Sequence, residues 1–297
     1  MADRIRVTES SPAAKFAPQY VAQELGFFDE LDLDVVFNID AGPAGSWLAD
    51  NLVQNRADIA LGGIWLPFAY HDLNIANLAP VAAVCHRNPA FLVSRRPLEC
   101  VFDWRVLEGK KVLLSLAATS QWMFLEGVLL EHGVDLSKVK FVRDLHIETM
   151  RGLWTSGLGD FFLAEPGTAF AMVEQGATIA ATLAEAAGPV PWSVYYARAG
   201  DIYPEAPVMR FKSAIEKSVN WILDGNQNDT AKIVARRLGA FDVARMGDIV
   251  QHLITSGTWQ RSLDIDVEAT ARYAMMMVNY GLLQNMPDIK SGFAPAI

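Results

Sequence analysis

Short apolar segments of strand length alternate with amphipathic ones along this chain, and that alternation restricts the fold more than any other feature. Asp34–Ile39 (DVVFNI) and Ala57–Leu61 (ADIAL) come early; Lys110–Leu116 (KKVLLSL), Val139–Val142 and Asp160–Ala164 (DFFLA) follow later. A strand with one wet face shows a polar residue at every second position, so a nearly continuous apolar run indicates cover on both faces. Between these runs the spacing is helical: Tyr20, Val21 and Leu25 form one stripe, and Met150, Leu153 and Trp154 another. Strand and helix alternating in two tandem sets predicts an α/β chain with two parallel or mixed sheets, each packed between helices.

Local signals sharpen this reading. A first strand is expected at Arg4–Glu9, then a polar loop (Ser10, Ser11, Pro12, Ala13, Ala14) and a helix with Pro18 in its first turn. Proline suits that turn because its missing amide hydrogen would go unpaired there anyway. Gly26 can take the left-handed conformation that ends a helix. Gly42 to Gly45 predict a turn, with Ser46 capping a helix that carries Trp47, Leu48 and Leu52; Gly62-Gly63 ends the third strand. In the second set, Thr119 or Ser120 caps a helix running to about His132, and a helix over 148–156 closes at Gly157. Another helix follows Glu165-Pro166 and stops at Gly176, while 177–183 and 190–197 read as extended. Beyond Pro204 three or four helices follow without a strand; Phe211, Ile215, Val219 and Ile222 mark one, and Tyr273, Met276 and Met277 another. Two open sheets of this kind, side by side, would turn their strand-end loops toward a shared cleft.

Composition limits function more than it assigns it. With 52% hydrophobic and 20% charged residues in 297, the chain can build a packed core in one or two domains. A formal net charge of -9 and the lack of a basic stripe argue against nucleic acid as the main partner, while a local positive pocket for an anion stays compatible. Eight Trp, fifteen Phe and seven Tyr exceed what minimal packing needs, so some can line a site for a planar or apolar ligand. Cys85 and Cys100 have neither zinc nor redox spacing. Buried free thiols are expected of them, with a single disulfide as the alternative. No apolar run reaches the roughly 20 residues that span a bilayer. The opening MADRIRV lacks the apolar core of a secretory signal, which fits a cytoplasmic protein or an exported one whose leader has been removed.

The segment Tyr20-Val21-Ala22-Gln23-Glu24-Leu25-Gly26-Phe27-Phe28-Asp29-Glu30, followed by Leu33-Asp34-Val35, resembles the opening of a known family. Ala57-Asp58-Ile59-Ala60-Leu61-Gly62, Leu107-Glu108-Gly109-Lys110-Lys111-Val112, the Gly157-to-Asp160 turn and Glu165-Pro166 continue the likeness in order. The family is that of ABC-transporter solute-binding proteins for nitrate, sulfonates, taurine and thiamine-precursor pyrimidines, which includes thiamine pyrimidine synthase-like proteins. The resemblance implies a type II periplasmic-binding-protein fold with two lobes around a cleft and a helical C-terminal extension. Lobe 1 would join residues 1–92 to 194–297, and lobe 2 would span 93–193. The implied function is capture of a small polar or aromatic solute in the interlobe cleft for delivery to an ABC permease.

In such a fold, strand ends and helix starts converge on the ligand. Four stretches qualify: Ser10, Ser11 and Lys15; Gly45 and Ser46; Gly63 and Trp65; and Thr119, Ser120, Gln121 and Trp122. Unpaired amides and hydroxyls at helix starts suit a carboxylate or sulfonate, and glycines permit close backbone approach. Taken singly, each of these residues also has a plain structural role, as a cap, a strand stop or core. Glu165 ends a very apolar strand just before a proline, which would aim its carboxylate at the cleft; the alternative is a solvent-exposed loop glutamate or a partner for Arg151. Trp192, near the second crossover, can stack on a ring or pack the hinge.

Enzymes on the same scaffold give the alternative: a cytoplasmic desulfinase, decarboxylase, pyrimidine synthase or ligand sensor. The desulfinase type uses a cysteine in the loop after the first strand, where this chain has Ser10 and Ser11. The pyrimidine-synthase type needs a lysine, a nearby histidine and a cysteine-rich run; Lys15 is present, but the first histidine is His71. His71, His86, His132, His146 and His252 lack metal-ligand spacing, and nucleophile-elbow and phosphate-loop motifs are absent. A binding protein with no cofactor and no metal is therefore the expectation.

Overall fold

The computed structural model describes residues 2–42, 45–115 and 119–289. The chain divides into two compact units, Met1–Arg87 with Pro189–Ile297, and Asn88–Gly188. The first unit contains β1 (Asp3–Glu9), α1 (Ala17–Glu24), β2 (Leu33–Ile39), α2 (Leu48–Val53), β3 (Ile59–Gly62), α3 (Trp65–Asp72) and β4 (Leu78–Cys85). The second contains β5 (Phe91–Ser94), β6 (Lys111–Ser115), α4 (Thr119–Glu131), β7 (Lys140–Leu145), α5 (Ile147–Thr155), β8 (Phe161–Ala164), α6 (Pro166–Glu174), β9 (Thr178–Thr182) and α7 (Leu183–Ala186). The chain then returns to the first unit with β10 (Ser193–Arg198), α8 (Pro207–Leu223), α9 (Gln227–Leu238), α10 (Val243–Thr255) and α11 (Val267–Tyr280).

Both sheets have five strands and the same internal order. The first runs β2-β1-β3-β10-β4 and the second β7-β6-β8-β5-β9. In the first, β1 is parallel to β2 and β3, while β10 runs antiparallel to β3 and β4. In the second, β6 is parallel to β7 and β8, while β5 runs antiparallel to β8 and β9. The antiparallel strand of each sheet is the one the chain enters directly after changing unit. It has no crossover helix on its own sheet, and it is such a helix that forces parallel pairing.

Strand β4 and strand β5, with helix α3 between the third strand and β4, are elements that the apolar rhythm does not reveal. β4 (LAPVAAVC) is wholly buried yet carries Pro80, a residue that cannot donate to a ladder. The position tolerates it because β4 is the outer strand of its sheet. The other edge of β4 is covered by the loop after α10: Ala83 N–H donates to the Leu263 carbonyl at 2.7 Å, and His86 N–H to that of Thr258 at 2.8 Å. That cover occupies part of the edge that β4 would otherwise offer to another chain.

The C-terminal helices complete the core of the first unit. Phe211 of α8 stacks on Phe28 at 5.2 Å and meets Tyr195 of β10 edge-on at 5.1 Å. The buried Ser218 hydroxyl donates to the Pro18 carbonyl at 2.7 Å, joining α8 to α1. The second unit has its own core of Phe91, Val93, Leu113, Met150, Trp154 and Phe162. Arg95 lies 3.9 Å from the Trp154 ring and donates to the Trp154, Leu158 and Gly159 carbonyls, which ties the end of β5 to the C-terminus of α5.

Two local expectations change. Helix α2 starts at Leu48 with Trp47 in the capping position, so Ser46 stands before the helix and does not cap it. The cause is the turn at Gly45, whose amide donates to the Gly42 carbonyl and holds Ser46 outside the helical register. Cys85 is buried as expected, but Cys100 is exposed, in a segment outside any strand or helix, and the two are not joined by a disulfide. Among the described residues no helix is long and apolar enough to cross a membrane.

Candidate ligand-binding site

Parallel strands β1 and β3 end side by side, and the loops that leave them are pressed together. Ser10 N–H donates to the Leu61 carbonyl at 3.1 Å, carrying the β1–β3 pairing one residue past the strand. Gly45 has a φ of +75°, and a Cβ there would stand 3.0 Å from both Cα and Cβ of Ser10. The left-handed backbone and the contact with Ser10 both favour glycine. Gly62 packs against the helix that follows Gly45, since a Cβ there would lie 2.7 Å from Leu48 Cδ1. Thus Ser10, Gly45 and the end of β3 form one cluster. Gly63, whose carbonyl accepts from Leu66 N–H at 3.3 Å, and Trp65, the first residue of α3, are both half-buried beside it. Ser11 and Ser46 are exposed.

Lys15 sits in the short turn Ala14–Phe16 that leads into α1. Its carbonyl accepts from Trp259 Nε1 at 2.9 Å and from the Cys85 thiol at 3.6 Å, so two buried side chains fix its backbone. Its half-buried side chain places Nζ 5.7 Å from the Phe16 ring centroid.

Behind the Ser10 loop stands a polar network that the sequence reading does not name. Glu9, the last residue of β1, accepts from Gln19 Nε2 and, at 3.1 Å, from the Tyr20 hydroxyl. Tyr195 donates its hydroxyl to Gln19 Oε1 at 3.1 Å, and Tyr20 accepts from Ala13 N–H at 3.2 Å. Burial pushes the Glu9 carboxyl above its ordinary range, against the hydrogen bonds from Tyr20 and Gln19 and the charge of Arg237. Burial likewise holds the Tyr20 phenol protonated, with the Glu9 charge adding to it. The signal that could have found Glu9 is an acid at the end of a strand, as at Glu165, although β1 is less apolar than β8.

The second unit carries the remaining candidates. Thr119 is the first residue of α4, and its side chain lies outside the described residues. Ser120 is half-buried and Gln121 buried near the same helix start. Trp122 packs away along the helix: its ring meets Phe141 of β7 edge-on at 4.6 Å, with the Arg143 guanidinium 4.4 Å from it. Glu165 is exposed directly after β8, in the N-capping position of α6 with Pro166 in the first turn, and its side chain does not cap the helix. Arg151 donates to Glu148 and Thr168, each at 2.8 Å. Trp192, in the first unit, is 6% exposed, and its backbone N–H donates to the Cys85 carbonyl at 2.8 Å. Among the described residues no cluster of three or more His, Cys, Asp or Glu could hold a metal ion.

This architecture is that of type II periplasmic-binding proteins, as two solved structures show. The periplasmic aliphatic sulphonate binding protein SsuA of Escherichia coli is similar with a TM-score of 0.76 at 12% identity, over 99% of this chain and 98% of SsuA. The desulfurization enzyme DSZB is similar with a TM-score of 0.69 at 16% identity, over 99% of this chain and 96% of the enzyme. At such identities the likeness is one of fold, and the fold carries both binding and catalysis. The family model described as NMT1/THI5 like matches residues 13–228, and the chain belongs to that family. YtlA of Bacillus subtilis (strain 168), provisionally named a binding protein, is 29% identical over 236 residues, 77% of this chain and 68% of YtlA.

Proposed function

We propose that this chain is the solute-binding protein of an ABC importer, acting outside the cytoplasm on a small polar or aromatic solute. The observation that carries the reading is the packed junction of Ser10, Gly45 and the end of β3. Backbone confined this tightly at parallel-strand ends gives a preformed surface that can approach a ligand closely. Around it, Ser10, Ser11 and Ser46 supply hydroxyls and Lys15 a cation, a set suited to a carboxylate or sulfonate. Membership of the NMT1/THI5-like family and the fold shared with the sulphonate-binding SsuA support the same reading. Glu165, at a strand end of the second unit, is proposed as an acceptor for a hydroxyl or amine of the solute.

A catalytic role on this scaffold has less behind it. Cys85 is buried with its thiol turned to the Lys15 carbonyl, and the loop after β1 offers serines but no thiolate. The experiment is a thermal-shift screen of sulfonates, carboxylates, pyrimidines and aromatic acids. A compound that binds only the folded form raises the melting temperature by mass action. Glu165→Ala is expected to abolish the shift given by a hydroxylated or aminated hit while leaving the unliganded melting temperature unchanged. An undiminished shift in that variant removes Glu165 from the site.

A further inference from the structure

Trp47 is 44% exposed, an unusual state for the largest apolar side chain, and it stands at the same end of the first sheet as Ser10. Its surroundings are fixed by backbone and buried polar contacts. Gly42 N–H donates to Asp40 Oδ1 at 2.8 Å, Gly45 N–H to the Gly42 carbonyl at 3.1 Å, and Trp47 N–H to the Ala41 carbonyl at 2.8 Å. The buried Asn51 amide donates to the Asp40 carbonyl at 2.7 Å and to Thr8 Oγ1 at 3.2 Å, pinning the segment to β1. The indole lies against Gly42: a Cβ there would come within 2.4 Å of Trp47 Cδ2 and 2.7 Å of Cγ. Gly42 and Gly45 both have left-handed φ values, +72° and +75°.

The ring is therefore held against backbone on one side and left exposed elsewhere, on a turn that touches Ser10 through Gly45. A rigid, half-exposed indole beside hydroxyls is the arrangement that stacks a planar solute at low entropic cost, because little side-chain freedom remains to be lost. We propose that Trp47 is a specificity-determining residue that makes this site select planar aromatic acids over saturated acids of the same size and charge. The inference rests on the solute-binding reading above and names its ligand class.

Calorimetric titration with matched flat and puckered acids tests it: benzenesulfonate against cyclohexanesulfonate, and para-hydroxybenzoate against para-hydroxycyclohexanecarboxylate. Charge and carbon count are equal within each pair, so the difference reports on planarity. The wild-type chain is expected to bind the flat member about tenfold more tightly. Trp47→Phe keeps most of that preference, whereas Trp47→Leu, which retains apolar bulk without a flat face, loses it. Equal affinities within both pairs in the wild type, or a preference that survives in Trp47→Leu, overturn the inference and leave solute binding standing. Failure of all four acids to bind overturns it together with acid binding at this site.

Discussion

The Tyr20 hydroxyl donates to the Glu9 carboxylate at 3.1 Å and accepts from the Ala13 amide at 3.2 Å, so one phenol ties the end of β1 to the far side of the loop that follows it. Tyr20→Phe breaks both bonds at once and leaves a half-buried carboxylate with Gln19 as its remaining side-chain donor. The expected cost is about 1–3 kcal/mol, with the Ser10–Ala13 loop losing amide protection first. Denaturant titration and hydrogen exchange measure the two effects separately.

Glu9 also sets a pH dependence of definite sign. Burial holds its carboxyl above the ordinary value of 4.5, so the folded chain keeps this proton at pH values where the unfolded chain has released it. The group favours folding most fully below 4.5, and that contribution is lost as the pH rises through the folded value. Glu9→Gln, which still accepts from Tyr20, is expected to gain in melting temperature relative to the wild type as the pH climbs from about 4 to about 7. A difference that stays flat over that range contradicts the assignment.

Asp58 works in the opposite sense. Burial raises its pKa, but hydrogen bonds from the Arg6 side chain and amide, with the charges of Arg6 and Arg198, more than offset this and lower it below 3.8. Its contact with Arg6 is bidentate, at 2.7 and 2.9 Å. The stabilisation is present above the ordinary carboxylate value and lost as the pH falls through the folded one. Asp58→Ala should cost about 2 kcal/mol near neutrality, since two partly buried guanidinium groups lose a partner, and less on acidification. Chemical denaturation at two pH values checks this.

Tyr196 gives a prediction of gain. Its hydroxyl is fully buried without a hydrogen-bond partner, on the face of β10 opposite to Tyr195. Tyr196→Phe removes the desolvated group and keeps the ring, so stability should hold or rise by about 1 kcal/mol. A loss of that size would show that the hydroxyl has a bonding role.

The parts of the fold legible in the sequence are those whose strands are unbroken apolar runs. β2, β3, β6 and β8 meet that condition, and their order implies two sheets. β4 escaped because Pro80 among three alanines and two valines read as neither strand nor helix. β5, Phe91–Ser94, escaped because no α-helix adjoins it in sequence, so the strand–helix alternation that marks β3 and β8 is missing there. Only the pairing partners β10, β8 and β9 identify these two as strands. At the site, glycines announced Gly45 and Gly63, but the segment after them reads as a helix that Ser46 caps and that already carries Trp47. The helix begins one residue later, and that shift leaves the indole exposed. Trp122 was legible as a helix-start aromatic, but its packing against Phe141 depends on β7 lying beside β6, a relation no local pattern encodes.

The most direct measurement is the melting temperature of the intact chain against increasing concentrations of the best compound from the solute screen. Specific binding predicts a rise that grows logarithmically, worth about 2.7 kcal/mol at a hundred times the dissociation constant. Calorimetry of the same compound should show saturation, and Lys15→Ala and Gly45→Ala should both weaken it. If no compound of any screened class moves the melting transition or gives saturable heat, the assignment of this chain as a solute-binding protein for these classes is wrong.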